Sequence, residues 1–218
     1  MQSELSLPGG ILRRMRWAMP ARLVIATHNA HKTEEFRALL GEAWAVEDLR
    51  AHAHLTPPEE TGSTFEENAA IKALAASAEL GPEVLVVADD SGLEVDALGG
   101  RPGIFSARYA GPGAGDRGNL EKVLGELAAA GVRGKERSGR FRCVLVAARA
   151  GQVLATVSGS LEGILANEAR GEGGFGYDPA FIPDGYCETF GQLPADVKNR
   201  LSHRARALAA LKERLGAL

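Results

Sequence analysis

The chain has 218 residues, a formal net charge of −3 and a hydrophobic content of 45%. This composition suits one large or bilobed domain with a sizeable core and argues against a disordered chain. The small net charge gives no general reason to bind nucleic acid or an anionic membrane, so neither partner is expected. Its two cysteines lack CxxC spacing, which argues against zinc and disulfide frameworks and favours the cytoplasm as the location. No apolar run approaches the roughly 20 residues of a membrane helix.

The first 20 residues look like an addition before the first strand. We expect this N-terminal extension to be poorly ordered, and Met15 or Met19 could equally be the biological start. Its arginines interrupt the apolar stretch that a secretory signal requires. Residues 21–218 are then expected to form a single bilobed domain.

Hydrophobic periodicity predicts alternating strands and helices in the first half of the chain, followed by a hairpin. Strands are predicted at 21–26, 44–49, 83–90, 140–149 and 152–165, and helices at 33–41, 65–80, 119–130 and 201–215. Two segments are predicted to be loops. They are residues 52–62 and residues 91–118. The hairpin turns at Ala150-Gly151. This order predicts an α/β fold with a mixed β-sheet flanked by helices.

The run EVLVVADD ends directly in two acids, Asp89 and Asp90. A strand that finishes in carboxylates would deliver them to the edge where open α/β sheets bind ligands. With Glu59 and Glu60 they offer the hard oxygen ligands that Mg²⁺ prefers when it also binds substrate phosphates. The alternatives are a helix cap or turn for the aspartates and a solvated loop for the glutamates.

The turn from Thr27 to Lys32 joins the first strand to the first helix. Helix N–H groups, the Thr27 hydroxyl, the Asn29 amide and the Lys32 ammonium could together hold a polyphosphate. An ordinary strand-to-helix loop with a surface lysine is the competing interpretation. Asn68 and Lys72 are neighbours on a helix face and could point into the same cleft, although a solvated face is nearly as plausible.

Other motifs argue against familiar cofactor sites. The two GxGxxG matches, at 113–118 and 171–176, do not follow an apolar strand, and no GxxxxGK[ST] motif occurs. No cysteine or glutamate completes a zinc spacing with the histidines, which favours solvated loop side chains at His28, His31, His52 and His54.

A glycine-rich loop carries Phe175, Tyr177 and Asp178, a combination suited to stacking on a base and bonding its edge. Aromatic residues that merely close a core edge are the alternative. Lys198, His203 and Arg204 place donors at the start of the terminal helix, where a solvated basic face is equally consistent with the pattern.

Six segments in order resemble the motif series of the RdgB-like XTP/dITP pyrophosphatases, the inosine triphosphate pyrophosphatase family. They are ATHNAHK, EETGSTFEENAAIKA, ADDSGLEVDALGGRPGIFSARYAG, FRCVLV, GGFGYDPAF and KNRLSHRARAL, and the resemblance spans roughly residues 22–213. It implies an elongated two-lobed α/β fold around a central nucleotide-binding cleft, and a homodimer. It also implies Mg²⁺-dependent cleavage of dITP, ITP and XTP to the nucleoside monophosphate and pyrophosphate.

Carried onto this sequence, the resemblance implies metal ligation by Glu60 and Asp90, with Asp90 as the proton acceptor. The residues alone leave open which of the two aspartates is the base, and Asp89 could instead contact the metal through water. The implied substrate-binding residues are Thr27, His28, Asn29, Ala30, His31, Lys32, Lys72, Ser91, Phe175, Gly176, Tyr177, Asp178, Lys198, His203 and Arg204. His28 and His31 stand where the family often has glycines, which would allow a positive φ. Two alternatives stay open: a nucleotide-binding regulator with weakened catalysis, and a pyrophosphatase for modified pyrimidine triphosphates.

Overall fold

The computed structural model describes residues 21–216, so the expected N-terminal extension lies outside the described part. The strands are β1 Ala21–Ile25, β2 Trp44–Asp48, β3 Leu85–Val95, β4 Ser138–Arg149, β5 Gln152–Leu165 and β6 Phe181–Pro183. The helices are α1 Ala30–Leu40, α2 Phe65–Leu80, α3 Gly115–Ala129, α4 Ala195–Leu201 and α5 His203–Leu215. The strands form one sheet in the order β2-β1-β3-β4-β5-β6. Only the β1–β2 and β1–β3 pairs are parallel, which confirms the predicted mixed α/β sheet.

Two packed regions share this sheet. In the first, α1 and α5 cover one face with Phe36 and Leu208, while α2 covers the other face with small residues such as Ala69 and Ala73. In the second, the far ends of β3, β4 and β5 pack with β6 and α3 around Phe141 and Phe181. Strands β3 to β5 belong to both regions, so one sheet connects them. These two regions are the two lobes of the domain.

The predicted end of the third strand at Asp90 is wrong. Strand β3 continues to Val95 and stays paired with β4 throughout, but it pairs with β1 only through Val87. Asp89 and Asp90 therefore lie inside a strand, at the point where its parallel neighbour has ended. The missing neighbour leaves an opening beside the carboxylates, so they still face the edge where α/β sheets bind ligands.

Several helix boundaries also differ from those predicted. Helix α1 begins at Ala30 rather than residue 33, because the Asn29 side chain accepts from the backbone N–H groups of His31 and Lys32. Helix α3 begins at Gly115 rather than residue 119. The terminal helix is preceded by the separate short helix α4, and Ser202 caps the start of α5.

The hairpin between β4 and β5 is confirmed. Ala150 and Gly151 at its turn both have positive φ, 48° and 71°, as a two-residue turn between twisted strands requires. Strand β6 was not predicted, because its three residues carry too little pattern to separate from the neighbouring loop. None of the helices within residues 21–216 combines the length and apolarity needed to cross a membrane.

Candidate active site

The loop between β1 and α1 forms one wall of a large cavity, which has a volume of about 710 Å³. The hydroxyl of Thr27 accepts from the Asn29 backbone N–H at 3.1 Å, and the Asn29 side-chain oxygen caps α1. His28 and His31 do not have positive φ. The two histidines therefore fit this loop without the backbone strain that a glycine position would have imposed.

Asp89 is completely enclosed by its partners. Its Oδ1 accepts from Lys32 Nζ at 2.6 Å and from the Ser91 hydroxyl at 2.7 Å, and its Oδ2 accepts from Arg204 Nε at 2.7 Å. Burial opposes ionisation of this group, but Arg204 and Lys32 outweigh it and hold the pKa of Asp89 well below its usual range. Asp89 is thus a permanent carboxylate that orients the surrounding cations.

Asp90 has a different environment although it is the next residue. Its Oδ1 accepts from Lys72 Nζ at 2.6 Å, whereas its Oδ2 is buried without a hydrogen-bond partner among the described residues. The residue lines the large cavity. Burial raises the pKa of Asp90, with the Lys72 ammonium opposing that shift. A carboxylate in the cavity wall with one unsatisfied oxygen is equipped to bind a cation or to accept a proton.

Glu60 approaches the same ammonium group from the loop before α2. Lys72 Nζ lies 3.6 Å from Glu60 Oε1, so Glu60 and Asp90 converge on one point. Glu59 is exposed and does not line the cavity. The described residues contain no group of three or more His, Cys, Asp or Glu side chains that could hold a metal by themselves. Two carboxylates, one of which has an unsatisfied oxygen, nevertheless suit Mg²⁺, which commonly takes one or two carboxylates and completes its shell with substrate phosphates and water.

A buried ion network connects α1 with the two C-terminal helices. Glu35 on α1 accepts from the guanidinium of Arg204 on α5 and from Lys198 Nζ on α4. Lys198 also donates to Asp178 in the glycine-rich loop. Arg204 is only 1% exposed and bridges Glu35 to Asp89. Two of the three expected donors for a base, Lys198 and Arg204, are therefore already engaged with carboxylates.

Phe175 and Tyr177 have different positions despite their spacing. The Phe175 ring stacks on His31 with centroids 5.4 Å apart, and Lys198 Nζ lies 4.5 Å from the centroid of Phe175. The ring of Tyr177 is buried in the core of the second lobe, and its hydroxyl donates to the Ser106 carbonyl at 2.8 Å. Only Phe175 therefore remains accessible for stacking on a ligand.

The predicted base-binding residues surround a second, smaller cavity. Its volume is about 100 Å³, below the range of about 300 to 1,000 Å³ that is usual for ligand sites. It adjoins the large cavity at Asn29, Lys32 and Ser91, which line both. His203 lines it too, and the Nδ1 atom of that residue has no partner within the described residues. The structure thus places a large, charged cavity and a smaller one side by side, with lining residues in common.

Two further observations were not predicted from the sequence. Glu35 joins two of the predicted site residues, and Arg108 lines the large cavity. The spacing of Lys32 and Glu35 on one face of α1 could have suggested Glu35. Asn68 does not point into the cleft with Lys72; its side-chain oxygen accepts from the Gly62 backbone N–H at 2.9 Å.

Comparison with known proteins identifies relatives along most of the chain. A sequence model of the Ham1 family matches residues 23–214, from β1 to α5. A dITP/XTP pyrophosphatase of Bacillus subtilis (strain 168) is 47% identical over 195 residues, which cover 89% of this chain and 96% of that protein. A dITP/XTP pyrophosphatase of Bacillus licheniformis is 48% identical over 190 residues, covering 87% and 95%. The solved structure of a HAM1 protein from Coxiella burnetii matches with a TM-score of 0.78 at 38% identity, covering 89% of this chain and 98% of that one.

Proposed function

Because the chain belongs to the Ham1 family, we propose that it hydrolyses the nonstandard purine nucleoside triphosphates dITP, ITP and XTP to the nucleoside monophosphate and pyrophosphate. The observation that carries the proposal is the unsatisfied Oδ2 of Asp90 beside a cavity lined by Lys32 and Lys72. A carboxylate in the wall of a cavity that also carries two lysines suits a reaction in which water attacks a phosphoryl group.

In this mechanism the polyphosphate occupies the large cavity. Asp90 accepts the proton of the attacking water, and a pKa raised by burial brings that carboxylate closer to the operating pH of a general base. Lys32 and Lys72 neutralise the charge that builds up on the phosphate oxygens. Asp89, held by Arg204 and Lys32, keeps the cations in place and takes no proton.

Glu60 and Asp90 would hold the Mg²⁺ ion that this chemistry requires. Bound there, the ion would polarise phosphate oxygens and offset their charge. Lys72 Nζ contacts both carboxylates in the structure, so this ammonium lies beside the proposed ion site and the proposed phosphate site.

The small cavity would receive the base after Phe175 moves aside. Lys198, His203 and Arg204 are potential donors to the 6-oxo group of hypoxanthine or xanthine, and Phe175 offers a face for stacking. Sites built from hydrogen bonds can reject a mismatched analogue by about 10⁴-fold, because a buried polar group is otherwise left unpaired. The resemblance also implies a homodimer in the cytoplasm, and both belong to this proposal.

A pyrophosphate-release assay in Mg²⁺ with dITP, XTP, dATP and dGTP tests the proposal. We expect kcat/KM for dITP and XTP to exceed the values for dATP and dGTP by at least about 100-fold, because the adenine and guanine amino groups leave site donors or acceptors unpaired. Equal turnover of all four would contradict the selectivity. Higher turnover of dUTP or methylated pyrimidine triphosphates than of dITP would favour a pyrimidine-specific enzyme, and binding without turnover would favour a regulator.

A further inference from the structure

Among residues 21–216, Arg108 is the one arginine or lysine lining the large cavity that the proposed mechanism leaves without a task. Its side chain is 45% exposed, and its Nη1 lies 3.5 Å from Glu60 Oε2. Lys72 approaches the other oxygen of the same carboxylate at 3.6 Å. Glu60 therefore lies between Lys72 and Arg108, which places the guanidinium beside the proposed phosphate site.

The backbone that carries Arg108 is anchored on both sides. The Ser106 hydroxyl accepts from the Leu93 N–H at 2.9 Å and donates to the Gly103 carbonyl at 2.6 Å. On α3, Asn119 donates to the Ala107 carbonyl at 3.1 Å and accepts from the Ala110 N–H at 2.8 Å. Arg108 thus projects into the cavity from a segment that β3 and α3 hold in place. Such rigid support is what a binding residue needs.

The ion pairs of the cavity distinguish Arg108 from the two lysines. Lys32 and Lys72 each contact an aspartate at 2.6 Å, so much of their charge is already balanced. Within the described part of the chain, Arg108 has only the long contact with Glu60 and a stack on Phe105, whose centroid lies 5.4 Å from the guanidinium carbon. A guanidinium always carries its charge, and two of its N–H groups can donate to two phosphate oxygens at once.

We propose that Arg108 is a further substrate-binding residue, which leaves Glu60 and binds the polyphosphate of the nucleotide and the pyrophosphate product. This proposal rests on the proposed function, because it assumes that the large cavity receives the phosphates. A polyphosphate offers several charged oxygens, whereas Glu60 offers a single carboxylate at 3.5 Å.

Steady-state kinetics on dITP and calorimetric titration with inorganic pyrophosphate, both in saturating Mg²⁺, test the proposal with Arg108→Gln. We expect KM for dITP to rise about tenfold, the dissociation constant of pyrophosphate to rise by a similar factor, and kcat to change by less than about threefold. Arg108→Lys should give intermediate values, because lysine keeps the charge but cannot donate two parallel hydrogen bonds. Arg117→Gln is the matched control, since Arg117 is 91% exposed, pairs only with Glu121 and does not line the cavity.

Unchanged KM and unchanged pyrophosphate affinity in Arg108→Gln would overturn the role of Arg108 while leaving the proposed function intact. An equal loss in Arg117→Gln would also overturn it, because the effect would then reflect overall charge. If Arg108→Gln only raised the Mg²⁺ concentration needed for activity, Arg108 would be orienting Glu60 instead. Should the unmodified protein turn over no triphosphate, the proposed function fails, and the pyrophosphate titration alone decides the role of Arg108.

Discussion

Asp89 and Asp90 are neighbours in one strand, yet their surroundings assign them different tasks. Both oxygens of Asp89 are occupied by cations and hydroxyl or thiol donors, and its pKa is held low. Asp90 keeps one oxygen unsatisfied and has a raised pKa. Successive side chains of a strand point to opposite faces, so the two acids meet different cations. This alternation is consistent with the roles that the proposed mechanism gives to the adjacent residues, orienting group for Asp89 and base for Asp90.

The protonation of His203 leads to a prediction about stability. Burial lowers the pKa of His203 well below its usual value, and the nearby Arg204 and Lys198 lower it further. Below the unfolded-state pKa of about 6.5, the unfolded chain takes up a proton that the folded chain does not, so stability falls as the pH falls. One such proton changes the free energy of unfolding by about 1.4 kcal/mol per pH unit.

Urea denaturation at several pH values between about 7.5 and 5 measures this effect against His203→Phe. Phenylalanine cannot ionise and keeps a ring that can stack on Phe141, whose centroid lies 4.8 Å from that of His203. We expect the stability of the unmodified protein to fall more steeply with decreasing pH than that of the variant. Parallel curves would mean that His203 is protonated equally in the folded and unfolded states.

Close packing between β5 and α5 positions the residues at the start of that helix. A Cβ atom at Gly159 of β5 would lie 2.4 Å from the His203 carbonyl oxygen and 2.5 Å from the Ala207 nitrogen. Both neighbours are backbone atoms and cannot rotate away. Glycine at this position is therefore what allows α5 to approach the sheet closely enough for Arg204 to reach Asp89.

Gly159→Ala should displace α5, lower the free energy of unfolding by about 1 to 3 kcal/mol and raise KM for dITP. Denaturation and steady-state kinetics measure the two effects. Gly125→Ala is the matched control, because Gly125 lies within α3 with no atom within 4 Å of an added Cβ. That change should stabilise the helix by up to about 1 kcal/mol. Unaltered stability and KM in Gly159→Ala would show that α5 does not depend on this contact.

The elements with regular periodicity were predicted well, whereas several of their ends were not. The alanine-rich helix α2 begins after Thr64 and ends before Gly81 as predicted, because cap residues mark both ends. Strand β3 extends five residues beyond its predicted end because β4 remains beside it, and a partner distant in sequence leaves no signal in the residues Ser91 to Val95 themselves. The local pattern identifies elements, but the neighbours in the sheet decide where they stop.

At the scale of the whole molecule, the motifs identify many of the residues around the cleft but not how these residues pair. Asp90, Lys72 and Glu60 were all selected from motif resemblance, and the structure brings them together. The pairs between Glu35 and Arg204 and between Arg108 and Glu60 were not predicted, because each joins segments more than 40 residues apart. Such contacts depend on the folded sheet rather than on local spacing. The burial of Tyr177 was not predicted for the same reason, since it also depends on contacts formed in the folded molecule.

The two lobes meet at the carboxylates in the middle of β3, and the central claim is that Asp90 promotes hydrolysis there. Phosphorus NMR of dITP with Mg²⁺ and the protein tests it most directly, with Asp90→Asn as the second sample. The unmodified protein should yield dIMP and pyrophosphate in equal amounts. The variant should bind dITP in a calorimetric titration but leave it intact. Release of dIDP and orthophosphate, or normal turnover by Asp90→Asn, would contradict the account.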